Sequence, residues 1–162
     1  MSKIPFEKSL KCSIIDKYLK NSENPPLVKF ENHPTSHKNN KITIGLNSNG
    51  GLKTKEWWTR LGKELQGHLD YCVFSIDGLE DTNHLYRQDV EWAKVMERVK
   101  AFLDNGGKGT WKWVIFKHNV EQVEQARKIS EELGFKHFIT EDHGRNYFPA
   151  LTKDGKVSHW IL

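Results

Sequence analysis

Four apolar runs in this sequence each end in a cluster of small polar or charged residues, and those clusters are where chemistry could occur. They are Asn47-Ser48-Asn49-Gly50, Ser75-Ile76-Asp77-Gly78, Lys117-His118-Asn119 and Thr140-Glu141-Asp142-His143. Hydroxyls, amides, a carboxylate and an ammonium brought together suit a polar small molecule with hydroxyl, carboxylate or amino groups. Each cluster also has a local use. Asn49-Gly50 and Asp77-Gly78 are common turn pairs, since both positions tolerate positive φ. Asn119 fits an N-cap, with Gln122 three residues on completing a capping-box-like pair. Arg87, in HLYRQD, reads equally well as a solvated arginine or as an anion clamp.

Other chemistries lack their signatures. There is no GxxxxGK[ST] phosphate loop, no GxGxxG after a strand and no GxSxG nucleophile elbow. His33 and His37 are spaced as HxxxH, but Pro34 between them opposes a helix and no third ligand accompanies them, so no metal site is expected. Cys12 and Cys72 stand far apart without CxxC spacing and read as two free thiols in a reducing compartment.

The elements that position these clusters follow from periodicity. Strands are expected at 41–47, 71–76, 111–117 and 135–140. Between them lie helices at about 54–66, with Trp57, Trp58, Leu61 and Leu65 on one side, and through 92–103, where Trp92, Val95, Met96, Val99, Phe102 and Leu103 form a stripe. A third helix follows Asn119 and carries Val123, Ala126, Ile129 and Leu133. Strands alternating with helices give an α/β class, a mainly parallel sheet of βα units. The strands show little alternation of polarity, as expected when both faces are covered. Pattern alone leaves an open sheet and part of a (β/α) barrel as alternatives. In such architectures ligands meet the carboxyl ends of the strands, where the four clusters fall.

The chain divides into an N-terminal segment (1–40), a βα core (41–145) and a hairpin-like tail (146–162) turning at Lys153-Asp154-Gly155. The first segment carries a candidate helix over 5–20, ended by NSENPP, a short strand at 27–30 and a polar loop over 31–41. With 36% hydrophobic and 28% charged residues in 162, this is the composition of an ordinary soluble domain. No apolar run approaches ~18 residues and the start lacks a signal-peptide core, so a cytoplasmic protein is expected. Lysine and arginine number 25 against 21 acids, a net +4, but the charges are scattered; despite six tryptophans, this disfavours nucleic-acid binding.

ITIGLNSNGGLKTKEWW, FSIDGLEDTNHLYRQDVEW and WVIFKHNVEQVEQARKISEELGF together resemble the middle and rear of a radical S-adenosylmethionine (radical SAM) domain, over roughly residues 41–145. The nearest in style are members that modify peptides or proteins, and similar domains in phage genomes. The resemblance implies a partial (β/α) barrel. It also implies S-adenosylmethionine contacts from Ser75 and Arg87, with Ser48, Asn49, Asp77, Lys117 and Asn119 as further contacts from neighbouring strand ends. A guanidinium suits two-point capture of a carboxylate. The family's CxxxCxxC loop for a 4Fe-4S cluster is absent, and LVKF is followed by ENHP rather than the glycine-rich GGEP. Catalysis is therefore not expected from this chain alone. A cluster-bearing partner chain would complete an enzyme that cleaves S-adenosylmethionine reductively and modifies a peptide or small molecule by radical chemistry. The alternative is a degenerate, non-catalytic barrel that binds a nucleoside or a protein.

Overall fold

Three stretches of this sequence carry an apolar stripe at helical spacing, and each forms a helix in the computed structural model, which describes residues 27–31, 43–142, 148–152 and 154–161. Helix α1 (Lys55–Glu64) starts where the Thr54 hydroxyl accepts the Trp57 N–H, and it buries Trp58 and Leu61. A four-residue turn of helix, α2 (Asn83–Tyr86), precedes α3 (Trp92–Asp104), which buries Val95, Val99 and Phe102. Helix α4 (Val123–Leu133) ends at Gly134, whose φ of 83° lets the Phe135 N–H reach back to the Ser130 carbonyl.

The strands are β1 (Leu27–Glu31), β2 (Thr43–Ser48), β3 (Tyr71–Ser75), β4 (Gly109–Ile115) and β5 (His137–Asp142). They form one sheet in the order β1-β2-β3-β4-β5. β1 runs antiparallel to β2, while β2, β3, β4 and β5 are mutually parallel. The α/β class with a four-strand parallel sheet of βα units is therefore established, and the carboxyl ends of β2 to β5 share one edge. The register is Leu46 beside Cys72 beside Gly109, and Ser75 beside Lys112.

The two faces of this sheet differ. Ile44, Leu46, Cys72, Phe74, Ile76, Trp111 and Trp113 point to one side and join Trp58, Leu61, Val95, Val99, Phe102 and Ala126 of the helices in a single core. Burial along β3 alternates strictly, with Tyr71, Val73 and Ser75 half-exposed on the other side. The absence of alternation in the sequence therefore does not mean that both faces are covered. Tyr71, Val73 and Ile139 face the open side with apolar side chains, which hides the alternation from a polarity pattern.

The tail is a hairpin, β6 (Phe148–Leu151) antiparallel to β7 (Val157–Ile161), closed by the Thr152 N–H donating to the Lys156 carbonyl and by Gly155 at φ 80°. It builds a second apolar cluster from Ala150, Ile161, Val114 and Phe116, with Tyr86 packed against them. The hairpin thus docks beyond the carboxyl end of β4. The candidate helix over 5–20, most of the loop over 31–41, and Cys12, His33 and His37 lie outside the described residues.

Helices α1 and α3 touch at Gly62, where an added Cβ would stand 2.4 Å from the Phe102 carbonyl oxygen. Elsewhere in a helix, glycine to alanine gains stability. Gly62→Ala should instead cost about 1–3 kcal/mol, because the helices must separate to admit the methyl group. Urea denaturation measures the sign.

Candidate functional site

Strand β3 ends before its neighbour does. The Ile76 N–H still bonds the Lys112 carbonyl, and the chain then turns at Asp77-Gly78 while β4 runs on to Ile115. The turn needs glycine at 78, since a Cβ there would lie 2.3 Å from the Asn83 nitrogen. Asp77 is fully buried and takes over where the ladder stops: its Oδ1 accepts the Val114 N–H at 2.6 Å. Its Oδ2 accepts from Arg87 Nε at 2.6 Å and Nη2 at 2.5 Å. Its backbone N–H donates to Asn83 Oδ1 at 3.2 Å.

Asn119 closes the same knot. Its Oδ1 accepts the Phe116 N–H at 2.8 Å, and its Nδ2 donates to the carbonyls of Asp77 and Val114 at 2.8 and 2.9 Å. The capping role expected for Asn119 is not the observed one. It precedes a 3-10 turn (Val120–Gln122) without a side-chain capping bond, because its amide is turned inward to bridge the ends of β3 and β4. Gln122 instead reaches the loop before α2, donating to Asp81 and accepting the Leu79 N–H.

Burial pushes the Asp77 carboxyl up from its ordinary range, while the Arg87 charge and the Val114 N–H pull it back down. Arg87 keeps a quarter of its side chain in water and lies over the Tyr86 ring at 4.8 Å. Its two-point grip is on Asp77, which leaves Nη1 as the nitrogen without a bond among the described residues. Asp77, Arg87 and Asn119 are thus brought together, and they are joined to one another.

The other expected residues separate into two groups. Ser48 and Asn49 shape the turn after β2: Ser48 Oγ accepts the Gly50 N–H and Asn49 Oδ1 the Gly51 N–H, while Arg98 of α3 holds the Gly50 carbonyl at 3.0 Å. Ser75 lies on the open face, half-buried, with no hydroxyl hydrogen bond among the described residues. Beside it Lys112 pairs with Glu141 at 2.5 Å. Lys112 is hidden because WKWVIFK looks like a buried run ending in Lys117; a second lysine inside that run, between two tryptophans, was the available signal. Lys117 stands apart, exposed, in a cavity lined with Leu85, His118, His159 and Trp160.

No group of three or more metal-ligating side chains occurs among the described residues. Cys72 is completely buried in β3, and burial pushes its thiol above the ordinary range. It does not fit an iron–sulfur cluster, which needs several accessible thiolates together.

No family model matches this chain, and no curated protein matches it. Among solved structures, the crystal structure of SuiB from Streptococcus suis aligns at a TM-score of 0.49 with 19% identity, over 70% of this chain and 25% of that one. The chain thus spans a quarter of that protein's length. At this overlap the likeness assigns neither function nor site.

Replacing Arg87 by methionine leaves the Asp77 carboxyl buried without its cation. The loss should be about 2–4 kcal/mol at pH 7, below that of a fully enclosed pair because Arg87 is partly solvated. In the variant Asp77 holds its proton to higher pH than in the parent. The deficit should therefore shrink toward pH 4 and grow as pH rises, which denaturation across pH measures. In a Cys12→Ser background, Cys72 should resist a thiol reagent in the native state and react stoichiometrically in denaturant.

Proposed function

We propose that this chain is the rear part of a radical S-adenosylmethionine-type domain, with its open sheet face as the inside of a partial (β/α) barrel. It holds S-adenosylmethionine at the carboxyl ends of β2 and β3. The observation that carries this reading is Ser75: a half-buried hydroxyl without a hydrogen bond among the described residues, on the open face and one strand from the Ser48–Gly51 turn. Arg87 Nη1 offers a further donor, and Asp77 and Asn119 act as positioning residues that fix where Arg87 and the strand ends stand.

The strand order supports the barrel reading. Successive parallel neighbours with helices packed on one face curl in barrels, and the face left open becomes the interior. The chain supplies positioning and binding. Redox chemistry belongs to a partner chain bearing the 4Fe-4S cluster, since Cys72 cannot ligate one, and the substrate is a peptide or small molecule that meets the completed barrel. This division of labour makes the protein cytoplasmic, in a reducing compartment.

A second reading has its own observation. Asp77, Arg87 and Asn119 already satisfy one another, and among the described residues β5 ends the sheet, with Ile139 46% exposed. An unpaired strand edge of this kind recruits another chain, which favours a non-catalytic protein-binding module.

Calorimetry separates the two. Saturable binding of S-adenosylmethionine is expected, weakened about fivefold to tenfold by Ser75→Ala, the worth of one hydrogen bond. No heat at millimolar ligand rejects the first reading.

A further inference from the structure

The hairpin creates a cavity that shares Lys117, and no other residue, with the expected S-adenosylmethionine contacts. Its volume is about 450 Å³, within the range of small-molecule sites. Its walls are Leu85 of α2, Lys117 and His118 after β4, and His159 and Trp160 of β7. Lys117 was expected to touch S-adenosylmethionine, but it stands here apart from Ser48, Asn49, Ser75 and Arg87, none of which lines the cavity. The cavity exists because Ala150 and Ile161 dock on Val114 and Phe116, and because His159 Nε2–H donates to the Leu85 carbonyl at 2.6 Å. That bond fixes the imidazole, whose Nδ1 faces Ser158 Oγ at 3.2 Å.

Charge and shape in the cavity agree. Lys117 is exposed and has no ion-pair partner among the described residues. His118 is stacked on Phe116, with ring centroids 5.3 Å apart and planes within 10°. Its Nε2 is enclosed without a hydrogen bond among the described residues. Burial first, then the neighbouring His159 and His84, hold the His118 imidazole below its ordinary range, and Lys117 brings an ammonium group to the same wall. The surroundings are thus cationic, with an apolar wall from Leu85 and a half-exposed indole from Trp160. One permanent cation, without an arginine fork, complements one negative charge better than two. A flat ring suits the indole wall.

We propose that this cavity is a separate binding site for a small aromatic monocarboxylate, with Lys117 pairing the carboxylate and Trp160 and Leu85 holding the ring.

The test titrates 1-naphthoate into the full chain, followed by the indole N–H resonances in NMR and by calorimetry. Saturable binding that shifts the Trp160 indole is expected. Lys117→Met, at an exposed position, should weaken 1-naphthoate about tenfold and leave the neutral 2-naphthol unchanged. Three results overturn the proposal: equal binding of naphthoate and naphthol, no effect of Lys117→Met, or tighter binding of phenyl phosphate. Displacement of naphthoate by saturating S-adenosylmethionine refutes a separate site. Failure of S-adenosylmethionine to bind at all leaves the naphthoate result standing, so the two readings fail independently.

Discussion

A single carboxylate does the work of a strand segment that the sheet lacks. Where β3 turns away after Ile76, the Val114 N–H of β4 would be left buried without an acceptor, and Asp77 Oδ1 supplies one. A charge enclosed this way needs a counter-charge, which Arg87 brings from the end of α2. Asn119 then ties the Asp77 carbonyl to the turn after β4. The position of α2 follows from these bonds, and with it the Tyr86 and Leu85 surfaces against which the hairpin packs. The carboxyl edge of the sheet is therefore shaped by polar pairing, while the helix-covered face is shaped by apolar contact.

That difference decides what could be read from the residues. Val95, Val99 and Phe102 recur at helical spacing, so α3 is visible without coordinates. Cys72 within YCVFSI reads as a small buried apolar residue, and it is one. Helix α2 is four residues long and carries no stripe to detect, so HLYRQD looks like loop. Asn119 has cap chemistry and cap spacing, yet its bonds go to residues 42 and 5 positions earlier in sequence; no local pattern encodes the first. The same holds for Arg87, whose partner lies ten residues back across a turn.

The stagger of the strands explains why the polar tips do not form one cluster. Ser75 lies level with Lys112, so Lys117 stands five residues further along β4 and its turn, at most about 16 Å at 3.3 Å per residue. The tip of β4 rises past the others, and the hairpin closes around it. A parallel sheet guarantees a shared edge, but register decides which side chains on that edge can touch one ligand.

The ion pair also bears on what kind of constraint holds this edge. Replacing a buried pair with apolar residues of similar volume is often neutral or favourable for stability. Here such a replacement has a further consequence, because the Val114 N–H loses its acceptor whenever residue 77 loses its oxygens. The pair is therefore tied to backbone geometry: an apolar substitute can fill the volume but cannot end β3 where it ends. Early termination of β3 is what allows β4 to project and present Lys117 and His118 to the hairpin. The charge buried at Asp77 is thus a condition of the edge's shape, and through that shape of the cavity beneath the hairpin.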